Sequence, residues 1–223
     1  MKLKTDVLII GGGYAGLSAA LFLGNAKRDV LVVDDGKTRN QKALVSHNVL
    51  GFEAEPPIDI LQKARQDIEP LQSVQTIHEQ ITSIEKLQTG EFKSVLGNGD
   101  LIHAKIIVLA VGVVDILPNI DGIKPFWPEN IFHCPYCIAP DVEGEPLAII
   151  TNPDELFMMT SIIKKWTNGL VVCTNGFLIQ DPQILKLFNE HQIPLMSQEI
   201  VSISGKPGQF ITLHFNDDQT LKR

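Results

Sequence analysis

The stretch TDVLIIGGGYAG, residues 5–16, decides the fold. Asp6 to Ile10 is a short β-branched and aliphatic run, the composition of a strand buried in a parallel sheet. Gly11, Gly13 and Gly16 then fill a GxGxxG pattern around Gly12, Tyr14 and Ala15. In such a turn the first glycine allows the tight bend and the second lets backbone N–H groups approach a pyrophosphate. The third permits close helix–strand packing. Ala15 to Asn25, rich in Ala and Leu, reads as the following helix, its positive end facing the phosphates. Asp29 to Val33 is a second buried strand, closed by Asp34, Asp35 and Gly36. The series predicts a β-α-β unit with a right-handed crossover. Asp34, eighteen residues after Gly16, can accept hydrogen bonds from ribose hydroxyls. A lone glycine pattern is weak, and a turn without a ligand is the alternative. Here strand, helix, second strand and acidic residue agree on dinucleotide binding, without separating FAD from NAD.

Outward from this unit the pattern continues. Residues 37–56 are irregular, and Ile58, Leu61, Ala64 and Ile68 space an amphipathic helix from Pro57 to Ile68. Between Val74 and Ile107 we expect short antiparallel strands, with turns at Thr89-Gly90 and Asn98-Gly99. Lys105 to Ala110 reads as another buried strand, ending at Val111-Gly112. Residues 115–130, DILPNIDGIKPFWPEN, hold three prolines and mark a domain boundary. A second strand–helix–strand–helix series follows at 146–151, 155–166, 169–174 and 182–191, then strands near 200–203 and 210–215. Past the turn at Asn216 to Gln219, Leu221-Lys222-Arg223 begins an element that the sequence leaves unfinished. The fold class is α/β, with two Rossmann-like dinucleotide-binding domains and a parallel sheet plus a small antiparallel sheet. The domains are assigned to 1–114 and 115–223.

Composition narrows the function. A formal charge of −7 argues against a nucleic-acid surface or a polybasic membrane patch. No apolar run approaches the ~18 residues of a transmembrane helix, and no signal-peptide pattern opens the chain. Three cysteines do not make a secreted disulfide framework. The expected compartment is reducing cytoplasm, where a CxxC tends to be catalytic, redox-sensing or metal-binding.

That CxxC lies in FHCPYCIAPD, residues 132–141. Two cysteines at a helix start sit within bridging distance, and the helix dipole lowers the first thiol's pKa. Pro135 fixes local geometry and His133 is placed to stabilise a thiolate. Zinc needs two more ligands, whereas Cys173 lies far on, in a predicted core strand, and no second CxxC exists. A redox pair, zinc ligation and two unrelated cysteines are the readings, and the redox pair is preferred.

Together these residues resemble the low-molecular-weight thioredoxin-reductase-like, FAD-dependent disulfide oxidoreductases, in the subgroup carrying CPYC. TDVLIIGGGYAGLSAALFLG resembles that family's FAD fingerprint, including Tyr14 and Ala15, and VLVVDDGKTRN its second strand. The resemblance therefore implies FAD contacts at Asp34, Asp35, Arg39 and Asn40. SHNVLGF resembles the segment whose asparagine, here Asn48, lies beside the flavin, with His47 next to it. Ala110, Val111 and Gly112 stand in the family's ATG-type segment. It further implies that the 1–114 domain binds FAD, that 115–223 is the NAD(P)-type domain carrying the CxxC, and that the protein is a homodimer. Cys137 is then the sulfur nearer the flavin and Cys134 the one that attacks or releases a partner. That partner is a thioredoxin-like protein or a small-molecule dithiol or disulfide. A dithiol oxidase using O₂ and a non-catalytic flavin-binding pseudo-enzyme are the alternatives.

Three departures qualify the resemblance. The family sets an acidic residue or histidine after the second cysteine, and here Ile138 cannot titrate, leaving Asp141 or His133 as candidate substitutes. Residues 147–156, LAIITNPDEL, hold no glycine. Either a divergent NADPH site uses other backbone amides, or NADPH is not the electron donor. The family's final segment, with a Gly-Asp that holds the flavin, has no match in this sequence. Either the chain is an incomplete version of a longer protein, which is the expectation preferred here, or the flavin site is incomplete.

Overall fold

The computed structural model describes residues 2–151 and 153–223, with Pro153 described by its backbone alone. The chain forms two compact units. One gathers the chain up to Val45 together with Ala54–Asp115, and the other Ser46–Glu53 together with Ile116–Arg223.

The first unit contains β1 (Lys2–Ile10), α1 (Tyr14–Asn25), β2 (Val30–Asp34) and α2 (Pro57–Ile68). β3 (Val74–His78), β4 (Ile81–Lys86), β5 (Phe92–Leu96) and β6 (Leu101–Leu109) follow. All six strands make one sheet in the order β3-β2-β1-β6-β5-β4. β3, β2, β1 and β6 run parallel, and β5 and β4 continue antiparallel. Because β1 is central, its alternate residues bury on opposite faces. Val7 and Ile9 pack with Leu17 of α1 and Leu61 and Ile68 of α2. Leu8 and Ile10 pack instead with Leu31, Val33, Leu96, Ile102 and Ala104. Burying a side chain of this size contributes roughly 1.5–3 kcal/mol, which is why the aliphatic run must be unbroken.

The second unit holds α3 (Pro135–Val142), β7 (Ala148–Ile150), α4 (Pro153–Ile163), β8 (Val171–Cys173), α5 (Pro182–Glu190) and β9 (Leu195–Met196). It closes with β10 (Ile200–Ser204), β11 (Thr212–Phe215) and β12 (Thr220–Lys222). β7, β8 and β9 form a parallel sheet, and β10, β11 and β12 an antiparallel one. Alternation again divides the core. Val172 faces Leu156, Ile163, Ile184 and Phe188 of α4 and α5, while Val171 and Cys173 face Ile200, Ile203, Leu213 and Phe215. Asp181 caps α5 by accepting from the Gln183 N–H at 2.7 Å, with Pro182 in the first turn. The architecture is α/β, with a mixed sheet and a small antiparallel one.

Five details differ from the sequence reading. β3 is parallel to β2, because the α2 crossover returns it to the parallel side of the sheet. β6 begins at Leu101, and Ile106 and Leu109 are exposed rather than buried. In α2 the buried face carries Ile60 and Leu61, while Ile58 is exposed. Leu221 is part of β12, which pairs antiparallel with β11. Finally, Ser46–Glu53 groups with the second unit although a division at 114/115 leaves it with the first. Asn48 and His47 bind α3 there, a connection that prolines in the sequence do not signal.

Candidate functional site

The turn after β1 is shaped by missing side chains. Gly11 has φ +105°, and a Cβ there would lie 2.2 Å from the Ala110 carbonyl oxygen. A Cβ on Gly16 would lie 1.9 Å from the Gly11 oxygen. The backbone is stitched from both sides, Gly11 N–H donating to Val33 O and Ala110 N–H to Ile10 O, each at 2.8 Å. Gly13 differs, since a Cβ there would meet nothing within 4 Å. α1 starts directly after it with no side-chain cap and no acidic residue in its first turn. The helix start, with its partial positive charge, is therefore left without a side-chain cap.

Asp34 carries a role the sequence did not suggest. Its Oδ1 accepts the Gly12 N–H at 3.0 Å, while the Arg65 guanidinium lies 3.5 Å from Oδ2. The carboxylate expected to hold a ribose thus also pins the glycine turn. Asp35 accepts from the Lys37 backbone at 3.1 Å and side chain at 3.0 Å, which holds its pKa below the usual value. The Tyr14 hydroxyl lies 3.4 Å from the Pro57 carbonyl, and Ala15 sits in the first turn of α1. The Arg39 guanidinium is engaged by Asp115, its Nε donating at 2.9 and 3.1 Å. Asn40 accepts from the Ala43 N–H in a turn. Val111 is exposed, and Gly112, at φ +63°, has open space around it. Gly11, Gly13, Gly16, Asp34 and Ala110 therefore meet at the carboxyl ends of β1, β2 and β6, where parallel sheets bind nucleotides. An open, donor-rich turn with a carboxylate at its side fits a dinucleotide.

In the second unit, Cys134 and Cys137 are joined as a disulfide at the start of α3. Cys134 is the N-cap, Pro135 the first helical residue, and the Cys134 Sγ accepts the Cys137 N–H at 3.2 Å. Cys134 is half-buried and Cys137 exposed. Tyr136 packs edge-on against Trp166, ring centroids 5.7 Å apart, and His133 lies against Trp127 at 5.5 Å. Ile138 supplies no proton.

One turn after Cys137, Asp141 binds His47. The His47 side chain is 8% exposed, its Nε2 3.1 Å from Asp141 and its Nδ1 2.7 Å from Glu53. The Glu53 hydrogen bond foremost raises the His47 pKa above its ordinary value, burial opposing and Asp141 assisting. In return His47 lowers that of Glu53. The second Glu53 oxygen accepts the Asn48 N–H at 2.7 Å, and the Asn48 side-chain amide donates to the Tyr136 carbonyl at 2.8 Å. His47 and Asn48 thus both bind α3, and their segment groups with the second unit. Sequence reasoning missed Glu53, whose partner is six residues away but carries no recognisable spacing. It also had no signal for the Asp141 link, which spans 94 positions. Among the described residues no cluster of three or more His, Cys, Asp or Glu is arranged to hold a metal, and no helix is long and apolar enough to cross a membrane. Asn152, inside the stretch where a second glycine fingerprint was sought, lies outside the described residues.

Residues 5–150 match the family described as pyridine nucleotide-disulphide oxidoreductase. The chain belongs to this family. Membership implies flavin binding, in keeping with the open glycine turn. Among curated relatives it is 32% identical to thioredoxin reductase aclD of Aspergillus oryzae over 77% of this chain and 57% of that protein. It is 28% identical to thioredoxin reductase sirT of Leptosphaeria maculans over 95% of this chain and 69% of that one. An oxidoreductase structure from Agrobacterium tumefaciens is 32% identical, with a TM-score of 0.88 over 98% of this chain and 72% of that chain. The chain therefore spans about half to two-thirds of the length of these curated relatives.

Proposed function

We propose that this chain carries an FAD-dependent thiol–disulfide exchange site, with Cys134 and Cys137 passing two electrons to or from a protein or small-molecule disulfide. The observation that carries the reading is the Cys134–Cys137 disulfide at a helix start in a pyridine nucleotide-disulphide oxidoreductase. Gly11, Gly13, Gly16 and Asp34 are the residues that would hold the dinucleotide, with Tyr14, Ala15, Asp35, Arg39, Asn40, Ala110, Val111 and Gly112 around them. The bound flavin supplies a two-electron store.

In the reduced pair the Cys134 sulfur is the better thiolate, because the Cys137 N–H points at it from the start of α3. That thiolate attacks one sulfur of a partner disulfide. The partner S–S bond breaks, its second sulfur leaves with the electron pair and takes a proton, and a mixed disulfide remains. Cys137 then attacks the Cys134 sulfur, the mixed disulfide breaks, and the second partner thiol departs. Two electrons and two protons have moved to the partner, and the Cys134–Cys137 bond has re-formed. The reverse sequence oxidises a dithiol. About 30 mV of potential difference, roughly 1.4 kcal/mol, changes the favoured direction tenfold. His133 and Asp141 are the titratable neighbours available for these protons in place of Ile138, and such a group is typically worth 10²–10⁴ in rate.

The partner is a thioredoxin-like protein or a small dithiol, and homodimeric assembly in the cytoplasm accompanies this reading. The test is the visible spectrum of the purified chain, with and without NADPH, followed by anaerobic dithiol titration. A yellow protein whose flavin bleaches while two thiols appear supports the proposal. A colourless chain, or bleaching with no new thiols, overturns it. Bleaching by NADPH alone identifies the donor, and peroxide release from a dithiol without nicotinamide identifies an oxidase.

A further inference from the structure

Helix α3 is poorly equipped to stand alone. It has eight residues, well below the ~12–15 at which isolated helices become even marginal. It also contains Pro140. Proline has no amide hydrogen, so the carbonyl four residues back loses its helical donor. That carbonyl belongs to Tyr136, the residue between the cysteines' proline and Cys137. It is the carbonyl that receives the Asn48 side-chain amide, at 2.8 Å.

The rest of segment 46–53 is arranged around that bond. Asn48 adopts φ +60°, a left-handed conformation that asparagine tolerates better than most residues. Glu53 holds it there by accepting its N–H, and grips His47 with the other oxygen. His47 in turn reaches Asp141, one residue past the proline. Two successive residues of one segment thus hold the two positions flanking the weak point of another, 88 and 94 positions away.

We propose that segment 46–53 completes the redox helix: Asn48 supplies the hydrogen bond that Pro140 cannot donate, and His47 anchors the last turn through Asp141. Both are positioning residues for the Cys134–Cys137 pair. The proposal rests on the exchange reading above, because its consequence is chemical. A frayed α3 moves the Cys137 N–H away from the Cys134 sulfur, which weakens the thiolate and slows attack.

The experiment uses the full 223-residue chain and two readouts, the rate of exchange with a small aromatic disulfide and the pH titration of thiolate ultraviolet absorbance. Asn48→Gly removes the amide while tolerating the left-handed backbone. It is expected to slow exchange roughly threefold to tenfold, the range for one lost hydrogen bond, and to move the thiolate midpoint to higher pH. His47→Gln, should the first variant misfold, is expected to act in the same direction. Pro140→Ala restores the missing N–H and is expected to recover most of the Asn48→Gly loss. Unchanged rate and titration in both single variants overturn the proposal, as does failure of Pro140→Ala to rescue. Wild-type chain that undergoes no exchange overturns the functional reading, whereas exchange indifferent to these substitutions overturns only this inference.

Discussion

The two helix starts of this chain, α1 after the glycine turn and α3 at the cysteine pair, are built in opposite ways. α1 begins where side chains are absent: Gly11 and Gly16 leave no room for a Cβ, and Gly13 leaves its surroundings empty. α3 begins where side chains are present, with a sulfur as N-cap and distant His47 and Asn48 as supports. The first leaves its amide donors for a ligand. The second directs one amide onto its own reactive atom. A start made by exclusion serves to receive a group from outside, and one made by support serves to tune a group it already carries.

The largest expected effects fall on the excluded positions. Gly11→Ala places a methyl carbon against the Ala110 carbonyl at a φ that L-residues rarely adopt. Overpacking and backbone strain each cost about 1–3 kcal/mol, so a loss of ~3 kcal/mol or more is expected in denaturant unfolding of the first unit. Gly13→Ala, in open space, should stay within about 0.5 kcal/mol while weakening flavin retention. Equal destabilisation by both substitutions breaks the contrast. Asp34→Ala comes next. It removes the acceptor of the Gly12 N–H, and losing a charge-assisted bond costs about 1.5–3 kcal/mol. A loss of flavin affinity with no change in unfolding would return Asp34 to ligand binding alone.

This difference also explains what the sequence disclosed. Glycine spacing is legible because its cause, steric exclusion between residues 11, 16 and 110, is written in residue type and in the strands beside it. The alternation of Val7, Leu8, Ile9 and Ile10 is legible for the same reason. The supports of α3 were not. By resemblance His47 reads as a flavin neighbour, and Asp141 as a candidate substitute for the residue lost at Ile138. That the two meet depends on a chain excursion, Ser46–Glu53, which no periodicity marks. Ile58 turns outward because adjacent helix positions lie about 100° apart, and it is Pro57 that shares the buried face with Ile60 and Leu61.

A smaller effect follows from the charges at α3. His47 faces Glu53 from its own segment and Asp141 from the helix, and its pKa is raised in the folded chain. The stability it contributes is fully present below its ordinary pKa of 6.5 and is lost as pH rises through the folded value. Glu53, whose pKa is lowered, contributes above its ordinary 4.5 and loses that contribution as pH falls through the folded value. The second unit should therefore be most stable between these limits, from about pH 4.5 to 6.5. His47→Gln should remove the alkaline decline, and unfolding midpoints across pH that superimpose for variant and wild type would discard the assignment.

The smallest effect concerns the third cysteine, and it tests whether reactivity in this chain comes from helix starts at all. Cys173 lies in β8, a strand rather than a helix start, fully buried among Ile200, Ile203 and Leu213. Burial pushes its pKa up to about 11. At neutral pH only roughly one molecule in 10⁴ then carries the thiolate that reacts, and access is closed as well. After reduction, a maleimide should label two thiols in the folded chain and a third only on unfolding. Cys173→Ala should leave the exchange rate unchanged, since the residue packs the core and conducts nothing. A third thiol labelled in the folded chain as fast as Cys137 would mean that β8 opens readily, and the strand core would then owe less to packing than its alternation implies.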